Sequence, residues 1–299
     1  MGLYLDSRLE FLRATQNSDG GWGYFPGKGS WLEPTAYAML AIHGRDIAVC
    51  DRAWKLVGSW QRPDGSFQPS GEVKDGTWVT ALAVTLASIR GGGVRDEDDA
   101  RVRAAVDWLL RVVGAEHNLW TRTGSFLHLI KARLDVSHEG WPWRDGNASW
   151  IEPTAHTLVA LKKVADWYRP AEVADRIRDG EDLILSRRCT DGGWNYGTPN
   201  MLYVDLPSYP ETTALALLGL VGRSAREFPG ALDYAERSRA ETKSSLGKAW
   251  LQIALRLHGR NPAASAEIAW TSTDVMLAAL EALGHPQGNY GLFRSGGRA

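Results

Sequence analysis

Four carboxylates stand where charge is costly. Glu33, Glu152 and Glu211 occur in the near-identical segments Glu33-Pro34-Thr35-Ala36, Glu152-Pro153-Thr154-Ala155 and Glu211-Thr212-Thr213-Ala214, each leading into an Ala/Leu-rich run with almost no charge. Asp274, within Thr271-Ser272-Thr273-Asp274-Val275-Met276, belongs to another such run. An ionised carboxylate in an apolar interior is expensive, so burial favours its protonated form. A carboxyl held neutral beside a substrate is a general acid. Residues four apart share a helix face, which brings Glu33 to Tyr37 and Glu152 to His156, the latter a candidate acid and proton-relay pair. Glu211 has only Leu215 at that spacing and would act alone. A local reading stands beside this one. Proline suits the first helical position, and a carboxylate at a helix N-terminus gains about 0.3–1 kcal/mol.

Aromatic residues accompany the carboxylates. Trp31, Trp78, Trp150, Tyr209 and Trp270 sit at or just before the starts of the apolar runs. There they would line a cavity mouth with Tyr37 as substrate-binding residues, each ring face offering a cation about 0.5–2 kcal/mol, or would simply pack. A metal site lacks support: the seven histidines form no HxxxH or HExxH pattern, and Cys50 and Cys189 are far apart. No phosphate-binding glycine motif occurs, so no cofactor is expected. Asp96-Glu97-Asp98-Asp99 is acidic but precedes a charged helix with no Thr-Ala after it, and reads as a solvated helix start.

The elements that must position these residues repeat. The loops Gln16-Asn17-Ser18-Asp19-Gly20-Gly21-Trp22, Gln61-Arg62-Pro63-Asp64-Gly65-Ser66-Phe67 and Arg188-Cys189-Thr190-Asp191-Gly192-Gly193-Trp194 are alike, with Glu139-Gly140-Trp141-Pro142-Trp143 a shortened variant. This accounts for 32 glycines and for 14 tryptophans against 6 phenylalanines. Before each loop lies an amphipathic stretch with apolar residues at helical spacing, as in 48–60, 102–113 and 173–185. After it comes a Thr-Ala run, as in 36–42, 81–89 and 214–221, apolar all round and fit for complete burial. Two weaker pairs follow, near 231–257 and 263–283. Six pairs of one half-polar and one fully apolar helix predict an all-α (α/α)6 toroid, two concentric rings in which each pair covers its neighbour. The single domain spans 1–299, with an insertion at about 114–149 expected to hold a short helix near Phe126 to Leu134.

With 34 basic and 35 acidic residues the net charge is −1 and no basic cluster stands out, so nucleic acid is not an expected partner. No apolar run approaches the roughly 20 residues of a membrane span. Two unpaired cysteines suit a reducing, cytoplasmic compartment.

The Gln-x-x-Asp-Gly-Gly-Trp loops followed by Thr-Ala helices resemble the repeats of the terpene cyclase and prenyltransferase/squalene-oxidase superfamily across essentially the whole chain, above all its single-toroid bacterial members. Class II cyclases of that family resemble one another in an Asp-x-Asp-Asp-Thr-Ala motif whose middle carboxylate protonates an alkene or epoxide. Aligned on Thr-Ala, that position falls on Glu33, Glu152 and Glu211. The flanking carboxylates are replaced, by Trp31 and Pro34, Trp150 and Pro153, and Tyr209 and Thr212. The resemblance therefore implies a weaker acid, suited to an epoxide or allylic group. The family's zinc ligands have no counterpart here. The expected activity is acid-initiated cyclisation or isomerisation of a small apolar, isoprenoid-like substrate in an aromatic-lined cavity, with Glu152, His156, Glu211, Glu33 and Asp274 as catalytic candidates. The alternatives are a non-catalytic toroid binding a lipid-like ligand or a protein, with paired inner carboxylates and a filled cavity, and a carbohydrate-active α/α barrel with two carboxylates about 5 to 9.5 Å apart.

Overall fold

Eleven α-helices are found among the described residues of the computed structural model, which are 3–90, 94–117, 137–201, 203–263 and 270–294. Six form an inner ring: α2 (Leu32–Ile42), α4 (Val79–Ile89), α6 (Ile151–Val164), α8 (Pro210–Gly219), α10 (Ser245–Leu257) and α11 (Val275–Gly284). Each packs on the next, and α11 packs back on α2, so the ring closes. Around it lie α1 (Leu3–Ala14), α3 (Ile47–Ser59), α5 (Asp99–Arg111), α7 (Pro170–Ser186) and α9 (Ala231–Glu241). Composition explains the division. In α2 and α4 nearly every residue is buried, whereas α3, α5 and α7 bury one stripe and wet the other. The chain has the all-α toroid architecture that its repeats predict.

Two expectations fall partly outside the described residues. The short helix near Phe126 to Leu134 does so entirely. The outer half of the last pair would include 264–269, and of its neighbours 270–274 carry no helix. On the described side, α1 covers α11.

Hydrogen bonds explain why a loop aromatic and a Thr-Ala helix recur together. The backbone N–H of Trp22, Phe67, Trp141 and Trp194 donates to the hydroxyl of Thr35, Thr80, Thr154 and Thr213, at 2.9, 2.9, 3.0 and 3.0 Å. The indole N–H of Trp22, Trp141 and Trp194 donates to Leu12, Leu109 and Ile184 carbonyls near the ends of α1, α5 and α7, at 2.8, 2.7 and 2.6 Å. One aromatic residue thus satisfies a carbonyl left over at the end of an outer helix and fastens it to the start of the inner one. Gln16 and Gln61 extend the fastening sideways, donating to Val49 O at 3.0 Å and Arg101 O at 2.9 Å in the next outer helix. The loops turn through Gly20 and Gly65 at φ +95° and +93°, and a Cβ on Gly65 would stand 2.2 Å from Ala104 O. Only glycine fits both constraints.

The acidic run is not wholly solvated. Asp98 is buried, accepting from Arg90 Nη1 at 3.2 Å and Trp54 Nε1 at 3.1 Å, because those two buried donors require an acceptor. Asp99 pairs with Arg103 on the surface.

Candidate functional site

The inner helices begin at one end of the toroid, and loops from successive repeats are sewn to them. Leu32 N donates to Pro69 O, Trp78 N to Trp143 O, Ile151 N to Tyr196 O and Val275 N to Tyr24 O, at 2.8, 3.1, 3.0 and 3.0 Å. The last bond joins the end of the chain to its first repeat. This stitching sets Tyr24, Trp143 and Tyr196 around the mouth. Each stands two residues after a loop tryptophan, in Trp22-Gly23-Tyr24, Trp141-Pro142-Trp143 and Trp194-Asn195-Tyr196. That recurrence is a sequence signal for three mouth residues that the Thr-Ala runs do not contain.

Glu33, Glu152 and Glu211 occupy the first turns of α2, α6 and α8, in one register because Thr35, Thr154 and Thr213 make the same bond. Their surroundings differ. Glu33 accepts from the Tyr24 hydroxyl at 2.5 Å, which favours its ionised form, while burial acts more strongly and raises its pKa. Glu211 accepts from the Ser244 hydroxyl at 2.5 Å, and that hydroxyl also accepts from Gly247 N to cap α10. Glu152 has no hydrogen bond to any described residue. Burial, and secondly the charge of Glu33 nearby, push its pKa up to about 8, so at neutral pH it is mainly a carboxylic acid. Burial and the Glu33 charge also hold the Tyr24 phenol well above its ordinary range.

One turn deeper, Tyr37 and His156 meet across the ring, Tyr37 Oη to His156 Nε2 at 3.0 Å. Both are fully buried. Trp78 lies 5.2 Å from His156, centroid to centroid, and Trp250 of α10 lies 5.4 Å from Tyr37 and 6.0 Å from His156. Trp143 closes edge-on over Trp78 at 5.2 Å, and Phe293 meets Trp250 from the other side at 6.4 Å. These rings make an aromatic floor beneath the carboxyls. Burial depresses the His156 pKa to about 3, so the imidazole is neutral. It shares a helix face with Glu152, but no hydrogen bond joins the two side chains.

A second aromatic group lies on the rim. Trp150, Tyr196 and Tyr209 stand in series with centroids 6.5 and 5.3 Å apart, each at least a third exposed. Burial, and secondly the Glu211 carboxylate, raise the Tyr196 phenol above its ordinary range. Trp31 is half-buried at 6.0 Å from Tyr24.

The remaining candidates are engaged in structural contacts. Asp274 is the N-cap of α11, accepting from Leu277 N at 2.9 Å. Trp270 packs on α1, 5.6 Å from Phe11 and 5.1 Å from the Arg8 guanidinium. No group of three His, Cys, Asp or Glu side chains suited to a metal occurs among the described residues. No described helix is long and apolar enough to cross a membrane.

No family model matches the chain. A segment of 61 residues, 19% of the chain, is 41% identical to drimenyl diphosphate synthase of Streptantibioticus cattleyicolor, and one of 64 residues is 39% identical to that of Streptomyces showdoensis. These matches span 11% and 12% of the two relatives, about a tenth of their length. Among solved structures, type II terpene cyclase MstE from Scytonema superposes with a TM-score of 0.54 at 19% identity, over 94% of this chain and 77% of that one. MstE has also been solved with geranylgeranyl dihydroxybenzoate as substrate. Endo-β-1,4-glucanase CMCax from Acetobacter xylinum gives a TM-score of 0.60 at 14% identity, over 94% and 96%. The chain therefore has the α/α-toroid fold that type II terpene cyclases and these endoglucanases share.

Proposed function

We propose that the chain is a terpene cyclase-like enzyme that uses Glu152 as a general acid on a small, apolar, isoprenoid-like substrate. The observation that carries this reading is the unpartnered Glu152 carboxyl above an aromatic floor, kept largely neutral by burial and secondly by the charge of Glu33. A carboxyl of this pKa is too weak to protonate an isolated alkene readily, so an epoxide or allylic oxygen is the better acceptor. Glu152 would transfer its proton to that oxygen as the C–O bond breaks. A neighbouring C=C bond would then supply the electron pair that closes a ring, and the resulting cation would lose a proton to a carboxylate at the mouth, with Glu33 as the proposed base. From an epoxide the oxygen stays on the product as a hydroxyl and the net change is an isomerisation; from an allylic alcohol it departs as water. Neither needs a cofactor. Trp78 and Trp143 would face the cationic stage, and Tyr37 with His156 would hold the floor rigid. The 41% identical segment shared with drimenyl diphosphate synthase supports a terpenoid substrate class. We place the protein in the cytoplasm, on the two free, buried cysteines.

The non-catalytic binding toroid has its own supporting observation, the pairing of Glu33 with Tyr24 and of Glu211 with Ser244. The endoglucanase likeness is one of fold and favours no carbohydrate reading. Incubation with linear isoprenoids, their epoxides and diphosphates, read by mass spectrometry beside Glu152→Gln and Glu211→Gln, tests the choice. Conversion lost in Glu152→Gln alone is the expected result; no conversion of any substrate, with ligand still retained, would replace the enzyme by the binding toroid.

A further inference from the structure

A pocket of about 400 Å³ opens on the rim between Trp150, Tyr196 and Tyr209, within the roughly 300–1,000 Å³ of small-molecule sites. Its walls are mainly apolar: Trp150, Tyr196 and Tyr209, with Met201, Leu206 and Pro207. Two charged side chains, Glu116 and Arg187, occur among its described lining residues, and each is engaged by the other. Arg187 Nη2 donates to Glu116 Oε1 at 3.1 Å and Nη1 to Ser149 O at 2.6 Å, while both Glu116 oxygens accept from Ser149 N at 3.1 Å. Both side chains are almost completely buried, and hydrogen bonding from Ser149, helped by the Arg187 charge, outweighs the effect of burial and holds the Glu116 carboxyl below its usual range. The pair is thus a neutral unit. An anionic ligand would find no uncommitted cation among these described residues, whereas an uncharged hydrocarbon would cover three exposed ring faces.

We propose that this pocket binds the uncharged hydrocarbon end of the ligand, in the class of a prenyl alcohol or polyene, and discriminates against a diphosphate. The inference rests on the terpenoid reading above and adds to it where the chain of the substrate lies and what its end group must be. Water leaving the rings of Trp150, Tyr196 and Tyr209 supplies the driving force. Met201, on the exposed hairpin Asn200–Met201/Val204–Asp205, is a wall residue that can be changed without disturbing the core.

The test is equilibrium binding of farnesol and of farnesyl diphosphate to the full chain by titration calorimetry, for wild type, Met201→Asp, Leu206→Asp and Glu152→Gln, with circular dichroism to verify folding. Farnesol should bind at least tenfold more tightly than the diphosphate. Met201→Asp and Leu206→Asp should each weaken farnesol at least tenfold, and Glu152→Gln should change it less than threefold. Equal or tighter binding of the diphosphate, or farnesol binding indifferent to both aspartates in folded protein, overturns the proposal. The outcome is separable from the catalytic reading. Binding with these dependences but no turnover of any substrate would sink catalysis and leave the pocket standing; turnover with Kd and KM unmoved by both aspartates would do the reverse.

Discussion

Glu152 and Glu211 occupy the same register on neighbouring inner helices, each two residues before a threonine that holds a loop tryptophan, yet only one of them is left without a hydroxyl partner. Ser244, the residue that caps α10, gives Glu211 a hydrogen bond at 2.5 Å. Nothing comparable reaches Glu152, and the nearby Glu33 raises its pKa further. Repetition therefore built three equivalent positions, and the neighbours of each made them different. Glu33 is intermediate: it has Tyr24 as a donor, yet it is enclosed enough for its pKa to rise. A carboxyl's acidity reports its surroundings more than its helix.

The contrast breaks most readily at the acid itself. Glu152→Gln should lower turnover of an epoxide-bearing isoprenoid by about 10²–10⁴-fold, the usual contribution of a general acid, while Glu211→Gln should cost less than about tenfold by the same measure. Equal losses in steady-state rate would end the distinction between the two sites. A smaller effect tests the equivalence of the repeats. Thr35→Val and Thr154→Val each leave a buried tryptophan N–H unpaired and should cost about 1–3 kcal/mol in urea unfolding, by similar amounts. A large difference between them would mean that the carboxyls differ because their repeats differ in backbone, not merely in neighbours.

Stability against pH sharpens the comparison further. Glu152 has a folded pKa raised above its unfolded value of about 4.5, so the folded state binds the proton more tightly. Its contribution is fully present below pH 4.5 and is lost as the pH rises through about 8. Glu152→Gln should consequently be the more stable protein at pH 8, by at least about 1 kcal/mol, with the advantage vanishing near pH 4.5; urea titrations at both pH values decide it. The smallest expected effect is a displacement of the activity profile. Glu33→Gln removes the proposed base together with the charge that helps keep Glu152 protonated, so in the activity that remains the alkaline limb of kcat/KM should move to lower pH. A limb that stays in place would separate Glu33 from the acid.

Much of the architecture was readable because it rests on local bonds. The loop glycines, the tryptophan that follows them and the threonine of the Thr-Ala run are at most 19 residues apart where they bond. Each repeat thus carries its own instructions. The solvated reading of Asp96 to Asp99 failed for Asp98 because its partners, Trp54 and Arg90, lie on other elements. The pairing of Glu152 with His156 illustrates a different limit. Helical spacing correctly puts both on one face, but the His156 ring bonds instead to Tyr37, 119 residues away, and no side-chain bond joins it to Glu152. Asp274 read as a carboxyl within an apolar inner helix; one residue of register makes it the cap of that helix. Trp250 carried no motif, and only the closing of the ring brings it to Tyr37 and His156.

Sequence alone thus determined that this chain is a ring of helix pairs with three carboxyls in one register at the helix starts, because apolar periodicity and the aromatic-to-threonine bond are set within a repeat. Which of those carboxyls remains neutral and without a partner was decided by the tertiary structure. The donors, charges and apolar groups that set a pKa come from Tyr24, Ser244 and the facing Glu33, and residues on separate helices become neighbours only when the toroid closes.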